Sequence, residues 1–336
     1  MNPNLPELPK VVDDICEALK QKDNFLIISH INPDGDAVGS AVAMATILQR
    51  MGKSFRLYNV SSFPESLAWA SPWPVVSSLS DLAEFKPDAY IIVDCGDSKR
   101  TGDEIENVLL TKAISLSISI DHHRENPLFA THNWVDPSMA ATAIMVGMLA
   151  KKLGFELTET LGQAVYLGLV SDTGSFSYAN TDSRCLSLAA EIVDLGLDVG
   201  IFSASLDNTW SMERMRFWGK LFTEIKLVNN GTIAYVTVSA KMLSDAGLTV
   251  ADLNDFASWM RRIKGTQVTA MIRENADAKI KVSLRSAKNV NVQKVASFFG
   301  GGGHNNAAAY ETSGSLNAAV NSLLPLLNTA LKEATI

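Results

Sequence analysis

The 336-residue sequence predicts an α/β protein, a doubly wound parallel-sheet domain followed by a smaller α+β domain. Three observations predict it. Short apolar runs alternate with helix-like stretches through the first half, the order of a parallel sheet covered on both faces. Several of those runs end directly in Asp or His, which puts polar groups at the carboxyl ends of strands, where such sheets bind ligands. After a mostly helical stretch, the last third turns to strands with polar breaks.

Taken in order, Leu5 to Gln21 reads as an amphipathic helix and Phe25 to Ser29 as a buried parallel strand. A helix follows from Gly39 to Met51, with Gly52 near its stop, and Ser54 to Val60 is the next strand. Ala89 to Val93 is a strand ending at Asp94, and Ile114 to Ile120 one ending at Asp121. Ala140 to Leu153 and Glu159 to Val170 read as helices. From Ser183 to about Thr223 the pattern is helical, and Met212 to Arg216 reads as an exposed helix joining two domains. Thr232 to Val238, Val268 to Arg273 and Lys279 to Ser286 are strands, with a hairpin turn at Asn275 to Asp277. Val292 to Phe298 and Ser315 to Ala334 are helical. The expected division is residues 1–190, a helical linker 191–224, and a second domain 225–336.

Composition narrows the function. The chain is 47% hydrophobic and 19% charged, enough apolar residue for a sizeable core. A net charge of −7 argues against a protein that coats long nucleic acid with a broad basic face. Cys16, Cys95 and Cys185 are too few and too scattered for a disulfide framework, which fits a reducing compartment. With no signal-peptide pattern and no run of 18 apolar residues, the expected address is the cytoplasm, without a membrane span.

Four clusters carry chemistry. His30, Asp34 and Asp36 crowd one strand end, with Gly35 allowing a tight backbone path. An Asp before a helix also serves as an N-cap, so Asp34 has a purely structural reading. Asp94 closes the strand Ala89 to Val93, with Asp97 three residues on, where either can start a turn. Asp121-His122-His123 follows a third strand, and adjacent histidines there point in different directions. Asp172 follows a helix. His132 stands outside these clusters and reads as surface or loop. Asp34, Asp36, Asp94 and Asp172 in one pocket could not all stay ionised without compensation. Two divalent cations supply it, with neutral imidazoles as further ligands, and a cation pair can clamp both oxygens of a phosphoryl displacement.

These residues resemble a known family. His30-x-x-Pro33-Asp34-Gly35-Asp36-Ala37-x-Gly39, Asp94, Asp121-His122-His123 and Asp172 are similar to the successive motifs of DHH phosphoesterases. Gly300 to His304 resembles the glycine-rich signature of the DHH-associated domain, and the whole is most similar to the nanoRNase/pAp phosphatase branch. The resemblance implies one metal on His30, Asp34 and Asp94, and a second on Asp36, Asp94, His122 and Asp172, with Asp94 bridging. The implied cations are manganese, with magnesium or cobalt as alternatives. His123 would face the substrate phosphate as donor or general acid, and Asp121 would hold a ligand histidine in its tautomer. Gly301, Gly302, Gly303, His304 and Arg285 would receive a phosphate, glycines through their backbone N–H groups and Arg285 through its planar fork. Arg261, Arg262 and Lys264 add a local basic group.

Two departures stand out: Ala309 replaces a family glycine, and Ala143 stands where the family often has Gly, a helix-packing change. The implied function is hydrolysis of short RNA or DNA oligonucleotides, or of 3′-phosphoadenosine 5′-phosphate, to nucleoside monophosphates. Alternatives are cleavage of cyclic di-AMP or its linear form, pyrophosphate hydrolysis, and a non-catalytic nucleotide-binding regulator. The oligomeric state is not legible in the sequence, and a homodimer is one option for it.

Overall fold

A computed structural model describes residues 8–207, 210–275, 279–287 and 289–334. The chain divides into two compact units, Met1–Thr209 and Trp210–Ile336. The expected linker segment therefore contributes helices to both.

Unit 1 runs α1 (Val11–Gln21), β1 (Asn24–Ile28), α2 (Gly35–Arg50), β2 (Ser54–Tyr58), β3 (Val75–Val76), β4 (Ala89–Val93), α3 (Asp103–Leu110), β5 (Ser117–Asp121), β6 (His132–Val135), α4 (Thr142–Lys152), α5 (Glu159–Asp172), α6 (Ser183–Asp194) and α7 (Val199–Asp207). Its six strands are all parallel, in the order β3-β2-β1-β4-β5-β6. Alternate side chains of each strand enter two cores. Phe25, Ile27, Ile91 and Val93 pack against α1, α2, α4 and α5, while Leu26, Ile28, Tyr90 and Ile92 pack beneath α3 with Leu82 and Ile105. Because β1 pairs with both β2 and β4, the winding reverses there, and a crevice opens at the carboxyl ends of those two strands.

Unit 2 runs α8 (Met212–Glu224), β7 (Lys226–Val228), β8 (Ile233–Val238), α9 (Ala240–Asp245), α10 (Phe256–Met260), β9 (Val268–Glu274), β10 (Ile280–Ser286), α11 (Val292–Phe298), β11 (Gly302–His304), β12 (Ala307–Thr312) and α12 (Leu316–Glu333). Its strand order is β11-β12-β10-β9-β8-β7, antiparallel except for the β8–β9 pair. Helices α11 and α12 cover one face through Val282, Leu284, Leu323 and Leu327. On the other face α8 to α10 pack Phe217, Trp218 and Phe256 over Val236 and Met271. At the β10–β12–β11 end that second face carries the half-exposed Lys281, Ser283, Arg285, Ala307 and Ala309.

Several boundaries differ from expectation. Within the described residues the first helix begins at Val11, just past Pro9, and Leu5 lies outside them. The hairpin turn expected at Asn275 to Asp277 also falls outside, apart from Asn275. The second helix starts at Gly35 rather than Gly39, because the Asp34 carboxylate caps it, accepting from the N–H groups of Asp36 and Ala37 at 3.1 and 3.2 Å. His132 is not a loop residue but opens edge strand β6 and is half-buried. The three cysteines are buried and unpaired, and no helix among the described residues is long and apolar enough to cross a membrane.

Candidate metal centre and phosphate-binding face

Unit 1 brings together every acidic and imidazole residue singled out for metal binding. His30 Nε2 lies 3.5 Å from Asp94 Oδ2 and 3.9 Å from Asp34 Oδ1. His122 Nε2 lies 3.3 Å from Asp172 Oδ2, 3.6 Å from Asp94 Oδ1 and 4.0 Å from Asp36 Oδ2. Two donor groups result, His30–Asp34–Asp94 and Asp36–His122–Asp172, each with its ligand atoms within 4.8 Å of one another. Asp94 turns one oxygen toward each group.

The histidine tautomers test whether cations fit. His30 Nδ1 is 2.9 Å from the Ile31 carbonyl and His122 Nδ1 is 3.2 Å from the Met139 carbonyl. A carbonyl only accepts, so each Nδ1 carries the proton and each Nε2 presents toward carboxylates. Most of those separations exceed hydrogen-bond length. Once deprotonated at Nε2, these imidazoles would join the carboxylates as ligands of a cation, in place of the imidazolium charges that face Asp94 in the metal-free protein. The donor set suits divalent metal ions.

Burial and charge set the proton inventory. Burial above all, then the charges of Asp94 and Asp34, pushes Asp36 well above the ordinary carboxylate range, against the N–H groups of Ala143 and Thr142. Burial and the neighbouring carboxylates do the same to Asp172. Burial also favours a neutral Asp94, but the His30 bond and the charges of His30, His122 and His123 overcome it and hold that carboxylate low. Two raised carboxyls must ionise to bind metal. Divalent-metal uptake by the metal-free protein is therefore expected to release protons, with affinity falling as pH falls. Calorimetry in buffers of different ionisation enthalpy checks this, and no released proton would show the pair already ionised.

The sequence reading missed how Asp36 is held. The amino end of α4 meets it: Thr142 N donates to Oδ2 at 2.6 Å and Ala143 N to Oδ1 at 2.9 Å, and Ser40 Oγ adds 3.3 Å to Oδ1. A helix N-terminus stabilises a buried carboxylate in this way. Thr142 Oγ1 also donates to Asp94 Oδ1 at 3.1 Å. The Ala143 departure thus touches the metal centre through its backbone. Gly168 on α5 makes room for it, since a Cβ there would stand 2.4 Å from both the Ala143 methyl and Asp36 Oδ1. Gly168→Ala is expected to cost ~1–3 kcal/mol in stability by overpacking. It should also weaken metal binding, read by thermal melting and metal titration; wild-type values in both would show that the crossing has slack.

His123 serves differently from its neighbour. Its Nδ1 is 2.7 Å from Asp121 Oδ1, and the other oxygen of Asp121 accepts from Asn126 Nδ2 at 2.8 Å. Asp121 therefore orients His123; the ligand-type His122 is oriented by the Met139 carbonyl, not by Asp121. Burial opposes a charge on His123, but the bond to Asp121 and the charges of Asp94 and Asp121 outweigh it and raise its pKa. Gly96 lets the ring sit close, because a Cβ there would come within 2.9 Å of His123 Cβ. Asp97 takes its structural reading, capping a short 3₁₀ turn through Lys99 N at 2.9 Å.

Unit 2 holds the second predicted cluster. Arg285 pairs in register with Ala307, and Ala307 with His304, so Arg285 and His304 flank a small residue on one face. The glycines divide into two roles. Gly300 N–H donates to Ser297 O at 3.0 Å and Gly301 N–H to Ala296 O at 2.9 Å, the paired bonds of a Schellman cap on α11. The expected phosphate contact from the Gly301 amide is thereby corrected: that N–H is committed to the helix end. Gly301 and Gly303 are required by space, since a Cβ would meet Ala309 O at 2.2 Å and Ala307 O at 2.5 Å respectively. Ala309 pairs with Gly302 and Ser283, so its methyl adds to this same floor.

A doubly wound sheet with buried acids and imidazoles at its switch point defines a hydrolase of phosphate esters. Residues 24–169 match the DHH family N-terminal domain and residues 230–333 the DHHA1 domain. The bifunctional oligoribonuclease and PAP phosphatase NrnA of Thermus thermophilus is 32% identical over 301 residues, 89% of this chain and 88% of that protein. The protein of the same name in Bacillus subtilis is 25% identical, over 87% of this chain and 90% of its own. The crystal structure of an exopolyphosphatase-related protein from Bacteroides fragilis has the same fold, with a TM-score of 0.88 at 24% identity, covering 97% of this chain and 98% of that one. The chain belongs to the DHH phosphoesterase family.

Proposed function

We propose that this protein hydrolyses short oligoribonucleotides and 3′-phosphoadenosine 5′-phosphate to nucleoside monophosphates, with two divalent cations, manganese foremost. The observation that carries it is the convergence of two donor groups that share Asp94. His30, Asp34 and Asp94 would hold one cation, and Asp36, Asp94, His122 and Asp172 the other. When bound, the pair supplies Lewis-acid stabilisation of the charge that builds on the phosphoryl oxygens.

The chain's own residues do the rest. Asp121, fixed by Asn126, keeps His123 oriented and favours its charged form, in which Nε2–H can donate to the substrate phosphate or leaving oxygen. Arg285 and His304 present donors to a second phosphate on the open face of unit 2, with Gly302 and Ala307 leaving the floor low. The names of the Thermus and Bacillus relatives support the substrate class.

The test is a panel run with saturating manganese: 3′-phosphoadenosine 5′-phosphate, RNAs and DNAs of two to five residues, cyclic di-AMP and pyrophosphate. Release of mononucleotides from the short RNAs is expected. No turnover of any nucleotide would defeat the proposal, and faster cleavage of cyclic di-AMP or pyrophosphate would reassign the substrate.

A further inference from the structure

We propose that Trp259 is a stacking platform for a nucleobase of the substrate, set beside the Arg285–His304 row. The inference rests on the nucleotide reading above and adds a residue to it. Thr269, Arg285, Ala307 and His304 lie directly opposite one another across β9, β10, β12 and β11, so all four share one face. Helix α10 is pinned over the start of that row. Thr269 Oγ1 donates to the Ala257 carbonyl at 2.6 Å, and Arg285 Nε donates to Ser258 Oγ at 3.2 Å.

Trp259 is the next residue. Phe256, Ala257 and Met260 of the same short helix are buried, yet Trp259 is 42% exposed. Its ring meets Trp218 at 83° with centroids 6.2 Å apart, which steadies it from below, and the Arg262 guanidinium lies 4.1 Å from its centroid. The protein thus keeps a large flat aromatic partly exposed, one residue from the serine that touches the phosphate-type arginine, with the Arg262 cation over one of its faces and the base taking the other. Aromatic faces next to arginines are how single strands are held without base preference, because every base offers a π face. A core role would have buried the ring.

The test uses the full chain, a two-residue RNA, and the same diester carrying abasic riboses. Trp259→Ala is expected to raise KM for the RNA about 5- to 100-fold, with kcat within about twofold of wild type and no change on the abasic diester. Trp259→Phe should retain a KM within about threefold, since a phenyl ring still stacks. AMP should quench the wild-type tryptophan fluorescence, and Trp259→Phe should abolish most of that quench. An unchanged KM in Trp259→Ala, or an equal rise on the abasic diester, overturns the proposal. If Trp259→Ala does not fold, the quench decides: full quenching in Trp259→Phe overturns it as well. Failure of the wild type to cleave either diester would remove the hydrolase reading, while the AMP titration still tests the platform.

Discussion

Replacing Asp94 by Asn is expected to lower kcat by about a thousandfold or more, the scale of several kcal/mol of lost transition-state charge stabilisation. Asp94 turns its two oxygens toward the two donor groups, with His30 on one side and His122 on the other. A neutral amide would leave both groups short of negative charge, so metal affinity should fall together with rate. Asn is the informative replacement for a backbone reason. Asp94 has φ +54°, and among side-chain-bearing residues Asn tolerates that left-handed region best, whereas Ala would add local strain. The Asn carbonyl can still accept from Thr142 Oγ1. Circular dichroism and melting should therefore stay close to wild type while manganese titration and nucleotide release collapse. Near-normal turnover in Asp94→Asn would show that the shared carboxylate is not needed.

What the sequence made legible follows from where the chemistry sits on the chain. β1 and β4 are apolar runs and β5 alternates Ser and Ile, and the His or Asp at or just past the end of each is visible as a change in the pattern. The parallel order then places His30, Asp94 and Asp121 on one edge without any knowledge of contacts. Elements without such a signature were missed: β3 has two residues, β11 is mostly glycine, and α9 and α10 are too short to show a helical period. Asn126 and the amino end of α4 leave no local trace, because their roles exist only once distant segments meet, as Asp36 and Thr142 do across 106 positions. The Gly300–Gly301 cap was legible in principle, as glycines directly after the helix-like Val292 to Phe298, but the run of glycines drew the phosphate reading first.

His123→Ala is expected to lower kcat by about a hundred- to a thousandfold on a dinucleotide, the usual worth of a positioned proton donor. The geometry separates this residue from the metal ligands. Its Nδ1 is bonded to a fully buried Asp121, which Asn126 in turn holds, so the ring is oriented by a carboxylate outside both donor groups. Metal affinity should therefore change little, in contrast to Asp94→Asn. Leaving-group chemistry tells what the donated proton does. A nucleoside sugar hydroxyl leaves poorly as an alkoxide and needs protonation, whereas p-nitrophenolate leaves unaided. If His123 is the general acid, His123→Ala should lose far less on a p-nitrophenyl nucleotide ester than on the dinucleotide. If it only binds phosphate, both substrates should suffer alike. Asp121→Asn keeps the shape but removes the charge that raises the His123 pKa, so it should show the same leaving-group pattern at smaller size. Wild-type rates in His123→Ala on the dinucleotide would remove the residue from the mechanism altogether.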